Sequence, residues 1–303
     1  MRIAVIGAGA LGLFYGARLQ KSGNDVHFLL RRDFEAIGSN GLTVYSVDGD
    51  FRLPKVNAYQ TPEEMGKADL VLVGLKTFAN HRYQELIGPV VGEETIILTM
   101  QNGLGNEEAL AELFDARRIL GGVAFLRSNR GVPGVVYHLG EGRLILGEYR
   151  QGETALAEQI APIFQAAGLE CRVVPDLKRA RWEKLVWNIP FNGLCALLQR
   201  PVDALLNLDS TRDLILEIMR EVISAGNAQC LMKDIPISFA EKLVSFSLGL
   251  GPYRPSMLID RIEGRQLEIE SIFHKPLQAA VRAGVRMPRV ETVAALLEAT
   301  ENG

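Results

Sequence analysis

Lys184, Asn188 and Asn192 are spaced i, i+4 and i+8, so a helix through them brings one amine and two amides onto a single face. Trp182, Leu185, Trp187 and Phe191 surround that face and draw it partly inside. Polar groups in such a place are costly unless they meet polar partners, and a bound polar substrate is one such partner. By spacing alone the same run is equally an ordinary amphipathic helix with solvated Lys and Asn. Pro190 falls within it; lacking an N–H, it should distort the helix and free a carbonyl unless the chain breaks there.

Gly7-Ala8-Gly9-Ala10-Leu11-Gly12 is a GxGxxG run that follows an apolar strand and opens a helix, the context in which such a run cradles a dinucleotide pyrophosphate. Gly7 serves the tight turn, Gly9 lets backbone approach the phosphates, and Gly12 lets helix and strand pack closely. The helix N-terminus adds unpaired N–H groups and a partial positive charge. About 20 residues on, an NAD-binding chain places an acid for the ribose 2′-OH. Here that place holds Arg31, then Arg32, and guanidiniums suit a 2′-phosphate, so NADPH is expected over NADH. Asp33 comes too late in register to be the preferred ribose acid and is close enough in sequence to pair with Arg31 or Arg32.

The elements that must hold these groups alternate in the first half. Ile3–Ile6, Asp25–Leu30, Asp69–Leu75 and Thr95–Thr99 read as buried strands. Ala10–Lys21, Thr77–Leu86 and Asn106–Phe114 read as helices. This order predicts a parallel sheet with helices on both faces. Thr43–Val47 and Phe51–Val56 flank Asp48-Gly49-Asp50 as a hairpin. Gly121–Leu126, Val132–Leu139 and Arg143–Leu146 are expected as antiparallel strands at the far edge. Ala155–Ala167 reads as a helix and Glu170–Val174 as a closing strand. After Pro175 only helical patterns remain: Lys178–Leu198, Thr211–Gln229, Ser238–Phe246, Glu268–Ala283 and Val290–Thr300. The chain therefore divides near residue 175, with 1–174 as an α/β cofactor domain and 175–303 as an all-α domain.

Composition excludes several classes. In 303 residues the net charge is −3, without the basic surplus of a nucleic-acid binder. Three separated cysteines and four scattered histidines indicate neither a disulfide framework nor a metal site, and a reducing, cytoplasmic setting is expected. Arg2 followed by an uncharged stretch to Ala17 superficially imitates a secretory leader, but its four glycines fit the phosphate turn better; neither leader nor membrane segment is expected. The apolar face Leu214–Val222 is expected to serve the core rather than a dimer seam, and a homodimer stays open.

The order and spacing of these blocks resemble the ketopantoate reductase (2-dehydropantoate 2-reductase) family over essentially the full chain. The matching residues are Gly7–Gly12 with Arg31, Gly74-Leu75-Lys76, Gln101-Asn102-Gly103, the Lys184–Asn188–Asn192 helix, Pro255-Ser256-Met257-Leu258-Ile259-Asp260, and Gly264-Arg265-Gln266-Leu267-Glu268-Ile269-Glu270. The resemblance implies a Rossmann-type domain, then an all-helical domain, with the active site in the cleft between them. It implies reduction of a 2-keto acid by NADPH, here ketopantoate to pantoate on the route to pantothenate and coenzyme A. By the same resemblance Lys184 is the general acid, and Glu268 accepts a hydrogen bond from a substrate hydroxyl and holds Lys184. Asn188, Asn192 and Ser256 bind substrate. Gly7, Ala8, Gly9, Ala10, Leu11, Gly12, Arg31, Lys76 and Asn102 serve the cofactor, with Lys76 and Asn102 near its nicotinamide half.

Blander roles compete for some of these. Lys76 is also a plain strand-end charge, Asn102-Gly103 a turn, Glu268 a charge at a helix N-terminus, and Ser256 a cap; Asp260 reads as structural. Two stretches depart from the family. After Glu268 the common Ile-Asp-Tyr-Ile/Leu-Asn-Gly is replaced by Ile269-Glu270-Ser271-Ile272-Phe273-His274. Val202 stands where many members carry a substrate-contacting asparagine. These departures bear on which keto acid is held, since a site built to bond a hydroxyl rejects analogues lacking it. The competing readings are a reductase of another 2-keto acid and a non-catalytic NADP(H)-binding sensor.

Overall fold

All four residues of Ile3–Ile6 are buried, and alternate ones face opposite ways. Ile3 and Val5 join Leu70, Leu72 and Leu98 in one core layer, whereas Ala4 and Ile6 join Val71, Val73 and Ile97 in another. A strand covered on both faces needs continuous apolarity, with side chains alternating between the two layers. Each fully buried Val, Leu or Ile contributes about 1.5–3 kcal/mol.

The computed structural model describes residues 1–301. In chain order the first part comprises β1 (Arg2–Ile6), α1 (Ala10–Lys21), β2 (Asp25–Leu29), α2 (Phe34–Asn40), β3 (Leu42–Ser46), β4 (Phe51–Leu53), β5 (Asn57–Tyr59) and β6 (Ala68–Val73). It continues with α3 (Tyr83–Ile87), β7 (Val91–Thr99), α4 (Asn106–Ala111), β8 (Ile119–Arg130), β9 (Val135–Glu148), α5 (Ala155–Ala166) and β10 (Cys171–Val173). One sheet runs β4-β3-β9-β8-β7-β6-β1-β2-β5, with β10 paired to β9. From β5 to β8 every neighbouring pair is parallel. β1 lies between β2 and β6, so the chain's progress across the sheet reverses there. In open α/β sheets ligands bind beyond the strand ends at such a reversal.

The second part is helical: α6 (Leu177–Leu198), α7 (Val202–Leu206), α8 (Asp209–Asn227), α9 (Phe239–Leu248), α10 (Ser256–Ile262), a π-helical turn Glu270–His274, α11 (Lys275–Arg282) and α12 (Pro288–Glu301). Its own core gathers Trp182, Val186, Ile189, Ile218, Met219 and Phe273. The chain separates into two compact units, one of Met1–Gln101 with Asn106–Leu177, the other of Asn102–Gly105 with the chain from Lys178 onward. The four residues 102–105 thus group with the helical unit despite their place in sequence.

The expected α1 and the β3–β4 hairpin are present, with Val44 opposite Phe51. Several expectations need correction. The three far-edge strands are two long antiparallel ones, β8 and β9, and they lie inside the sheet because β3 and β4 extend beyond them. Register shifts at Phe125/Leu126 and Arg127/Ser128 absorb the irregularity around Gly140 and Gly142 that reads in sequence as a chain break. Thr77–Leu86 is not one helix: Thr77–Arg82 is a 3-10 segment and α3 follows. Residues 54–56 leave the hairpin, and β5 instead pairs with β2. Helix α6 continues through Pro190 without a break.

Candidate functional site

The first unit forms a turn suited to phosphate at the end of β1. Gly7 has φ +96°, and a Cβ there would lie 2.3 Å from the Leu75 backbone nitrogen, so only glycine fits. A Cβ on Gly12 would stand 2.4 Å from the Gly7 carbonyl oxygen, which fixes how closely α1 approaches the turn. Gly9 differs: a Cβ there would meet nothing within 4 Å. Internal packing does not require that glycine, and the open space beside it leaves room for a ligand against bare backbone. No side chain caps α1 and no acid occupies its first turn. Its leading N–H groups therefore have no intrahelical acceptor and remain suited to an anion. The residues present fit a dinucleotide pyrophosphate.

Arg31 is exposed, and its side chain makes no hydrogen bond or ion pair among the described residues. Arg32 donates to the Gly131 carbonyl at 3.5 Å. Asp33 pairs with neither: it is buried and binds the Arg130 guanidinium and the Gly134 N–H. Lys76 follows β6 and precedes the 3-10 segment, where its carbonyl accepts from Ala79 N–H. At the end of β7, Gln101 is held by Tyr83, Thr99 and Asn80 through bonds of 2.6–2.8 Å.

The second unit gathers a polar constellation on α6. Lys184 Nζ donates to Asn102 Oδ1 at 2.7 Å. The lysine residue keeps partial exposure, yet its ammonium end is enclosed. That enclosure, reinforced by the Arg181 guanidinium, lowers its pKa to about 7, against the opposing pull of Glu268. Arg181, Asn188, Asn192 and Glu268 are all buried. Asn192 Oδ1 accepts from Ser256 Oγ at 3.3 Å and from Met257 N–H at 3.1 Å. The Asn188 side chain makes no hydrogen bond among the described residues, which leaves a mostly buried amide able to receive a polar ligand. Glu268 precedes the helical turn at Ile269, and Ser256 is the first residue of α10 rather than its cap, a position taken by Pro255. Asp260 accepts from Arg265 at 2.8 Å, a local brace.

Asn102 reaches Lys184 because residues 102–105 lie against the π-helical turn. In that turn Lys275 N–H bonds to the Glu270 carbonyl, five residues back. The Ser271 carbonyl is thereby available and accepts from Leu104 N–H at 3.0 Å. Gly103 (φ +82°) lies so close that a Cβ would come within 2.3 Å of the Ser271 oxygen. Two features escaped the sequence reading. Arg181 precedes Lys184 by one helical turn, and that spacing was visible. The seat of Gly103 on Ser271 joins residues far apart in sequence, and no local signal shows it. Val202 is wholly buried in the apolar core.

Among the described residues no helix is long and apolar enough to cross a membrane. No group of three or more His, Cys, Asp or Glu among them could hold a metal.

A phosphate turn at the reversal of a parallel sheet, followed by a helical unit with an enclosed lysine, defines a Rossmann-type nucleotide-dependent oxidoreductase. The family model described as "Ketopantoate reductase PanE/ApbA" matches residues 3–151, and "Ketopantoate reductase PanE/ApbA C terminal" matches residues 176–301. A 2-dehydropantoate 2-reductase of Nostoc sp. is 44% identical over 95% of this chain and 92% of its own. The crystal structure of 2-dehydropantoate 2-reductase from Geobacter metallireducens GS-15 is 62% identical, with TM-score 0.98 over 99% of this chain and 100% of that one. The chain belongs to the ketopantoate reductase family, whose members use NADPH. A D-mandelate dehydrogenase solved with NADH and anilino(oxo)acetate shares the fold at 22% identity, with TM-score 0.90 over 100% of this chain and 98% of that one.

Proposed function

We propose that this oxidoreductase reduces 2-dehydropantoate to pantoate with NADPH, with Lys184 as general acid. The observation that carries the reading is the enclosed Lys184 ammonium, bonded to Asn102 and set on one helical face with Asn188 and Asn192. In this reading residues 1–174 hold the nucleotide and 175–303 the substrate. Gly7–Gly12 receive the pyrophosphate, Arg31 the 2′-phosphate, and Lys76 and Asn102 the nicotinamide half. Bound NADPH supplies hydride to the keto carbon.

This chain's own residues do the rest. As negative charge grows on the keto oxygen, the Lys184 ammonium stabilises it and then gives up its proton; such positioned transfer is worth roughly 10²–10⁴-fold. Asn102 orients the ammonium. Glu268 accepts from the substrate hydroxyl and holds the charge on Lys184. Asn188, Asn192 and Ser256 bind the remaining polar groups, with Ser256 toward the carboxylate.

The test is NADPH oxidation with a panel of 2-keto acids, ketopantoate included, in wild type and Lys184→Ala. Ketopantoate should be turned over with the highest kcat/KM, and the variant should lose at least about 100-fold. Unimpaired turnover in Lys184→Ala removes the assigned acid. Preference for another keto acid replaces the substrate, and tight NADPH binding without turnover of any keto acid points to a sensor.

A further inference from the structure

Asp33 sits two residues after Arg31, where a free carboxylate would repel a 2′-phosphate. The carboxylate is not free. Its Oδ2 binds the guanidinium of Arg130, the last residue of β8, and its Oδ1 accepts from Gly134 N–H at 3.1 Å. Its side chain is 4% exposed, against 30% for that of Arg130. The Asp33 backbone is fixed too, because its carbonyl accepts the Ile37 N–H of α2 at 2.8 Å. The neighbouring Arg32 also turns to this β8–β9 connection, through Gly131. Arg31 and Arg32 are both exposed, and Arg31 alone of the three has no side-chain partner among the described residues.

We infer that Arg130 is a specificity-determining residue for the nucleotide: it masks the Asp33 carboxylate, so that Arg31 presents a net positive end to a 2′-phosphate. The inference rests on the NADPH reading of Arg31. Arg130 acts through Asp33 and is a positioning residue, 97 residues away in sequence. Without it, a carboxylate held in place by Gly134 N–H would carry uncompensated charge beside Arg31. That charge would repel a phosphate or draw Arg31 away from it, while an uncharged 2′-hydroxyl would be indifferent.

The test measures binding alone. Isothermal titration compares adenosine 2′,5′-bisphosphate with adenosine 5′-monophosphate in wild type, Arg130→Gln, Asp33→Asn and the double variant. Wild type should prefer the bisphosphate. Arg130→Gln should cut that preference about tenfold at low salt and less at high salt, as a like-charge effect requires. Asp33→Asn should raise the preference, and the double variant should return it near wild type. A merely structural role for Arg130 would not be rescued by Asp33→Asn. An unchanged preference in folded Arg130→Gln overturns the inference. If that variant does not fold, an unchanged preference in Asp33→Asn overturns it instead. Equal binding of both nucleotides by wild type refutes the NADPH reading itself, a separate outcome.

Discussion

If Lys184 delivers the proton, only its charged form is active, and keto-acid reduction must fall as pH rises through the lysine's pKa. That value is about 7, lowered by enclosure and by Arg181 and partly restored by Glu268. At a pKa of about 7, kcat/KM should fall tenfold per pH unit above neutrality, leaving about 1% of its plateau near pH 9. An ordinary lysine, with a pKa of about 10.4, would still be more than about 90% charged there. Two substitutions move the limb in opposite directions. Arg181→Met removes a like charge and should shift it upward. Glu268→Gln removes an opposing charge and should shift it downward, alongside a rise in KM if Glu268 also binds substrate. A shift of one unit corresponds to about 1.4 kcal/mol of differential interaction. The assay is initial-rate NADPH oxidation under subsaturating keto acid across the pH range, with each variant's fold verified by circular dichroism. A profile flat to pH 9.5, or the same limb in all three proteins, would refute the assignment of the limb to Lys184.

The same lysine links pH to stability. Its folded pKa lies below the unfolded one, so the unfolded chain holds the extra proton between pH about 7 and 10, and this group's contribution improves as pH rises through that window. Lys184→Met should therefore stabilise more at pH 7 than at pH 9, by roughly 2 kcal/mol, measured by denaturant titration. Gly9→Ala should leave stability within about 0.5 kcal/mol, because the new methyl meets open space, yet weaken nucleotide binding at least tenfold. Gly12→Ala drives a methyl against the Gly7 carbonyl and should cost about 1–3 kcal/mol in thermal unfolding. Gly103→Ala should lower kcat far more than nucleotide affinity, since it lifts Asn102 away from Lys184; wild-type kcat would show that the seat on Ser271 does not matter.

Local signals carried part of the molecule and failed at identifiable places. Helix α1 spans the expected Ala10–Lys21, although the unbroken burial of Gly12 through Ala17 encloses it on more than one face. The glycine turn was legible because each glycine answers a local demand of φ, close approach or open space. The β8–β9 pair was misread because Gly140 and Gly142 look like punctuation, whereas register shifts let paired strands run past them. The π-helical turn lies within Glu268–Ala283, whose pattern reads as one continuous helix, so the turn's single extra residue was not singled out. Asp33 has two arginines beside it in sequence but pairs with Arg130, across a fold that sequence proximity cannot show.

The sequence by itself determined the strand–helix alternation that opens the chain, the glycine turn, and the face that aligns Lys184, Asn188 and Asn192, because these depend on spacing within a single element. Tertiary structure decided which groups meet and in what electrostatic surroundings. Asn102 reaches Lys184 only because Gly103 can lie against a carbonyl released by the π-helical turn. Lys184 has a pKa of about 7 only because folding encloses it beside Arg181, and a charge's cost depends on what surrounds it, not on its neighbours in sequence.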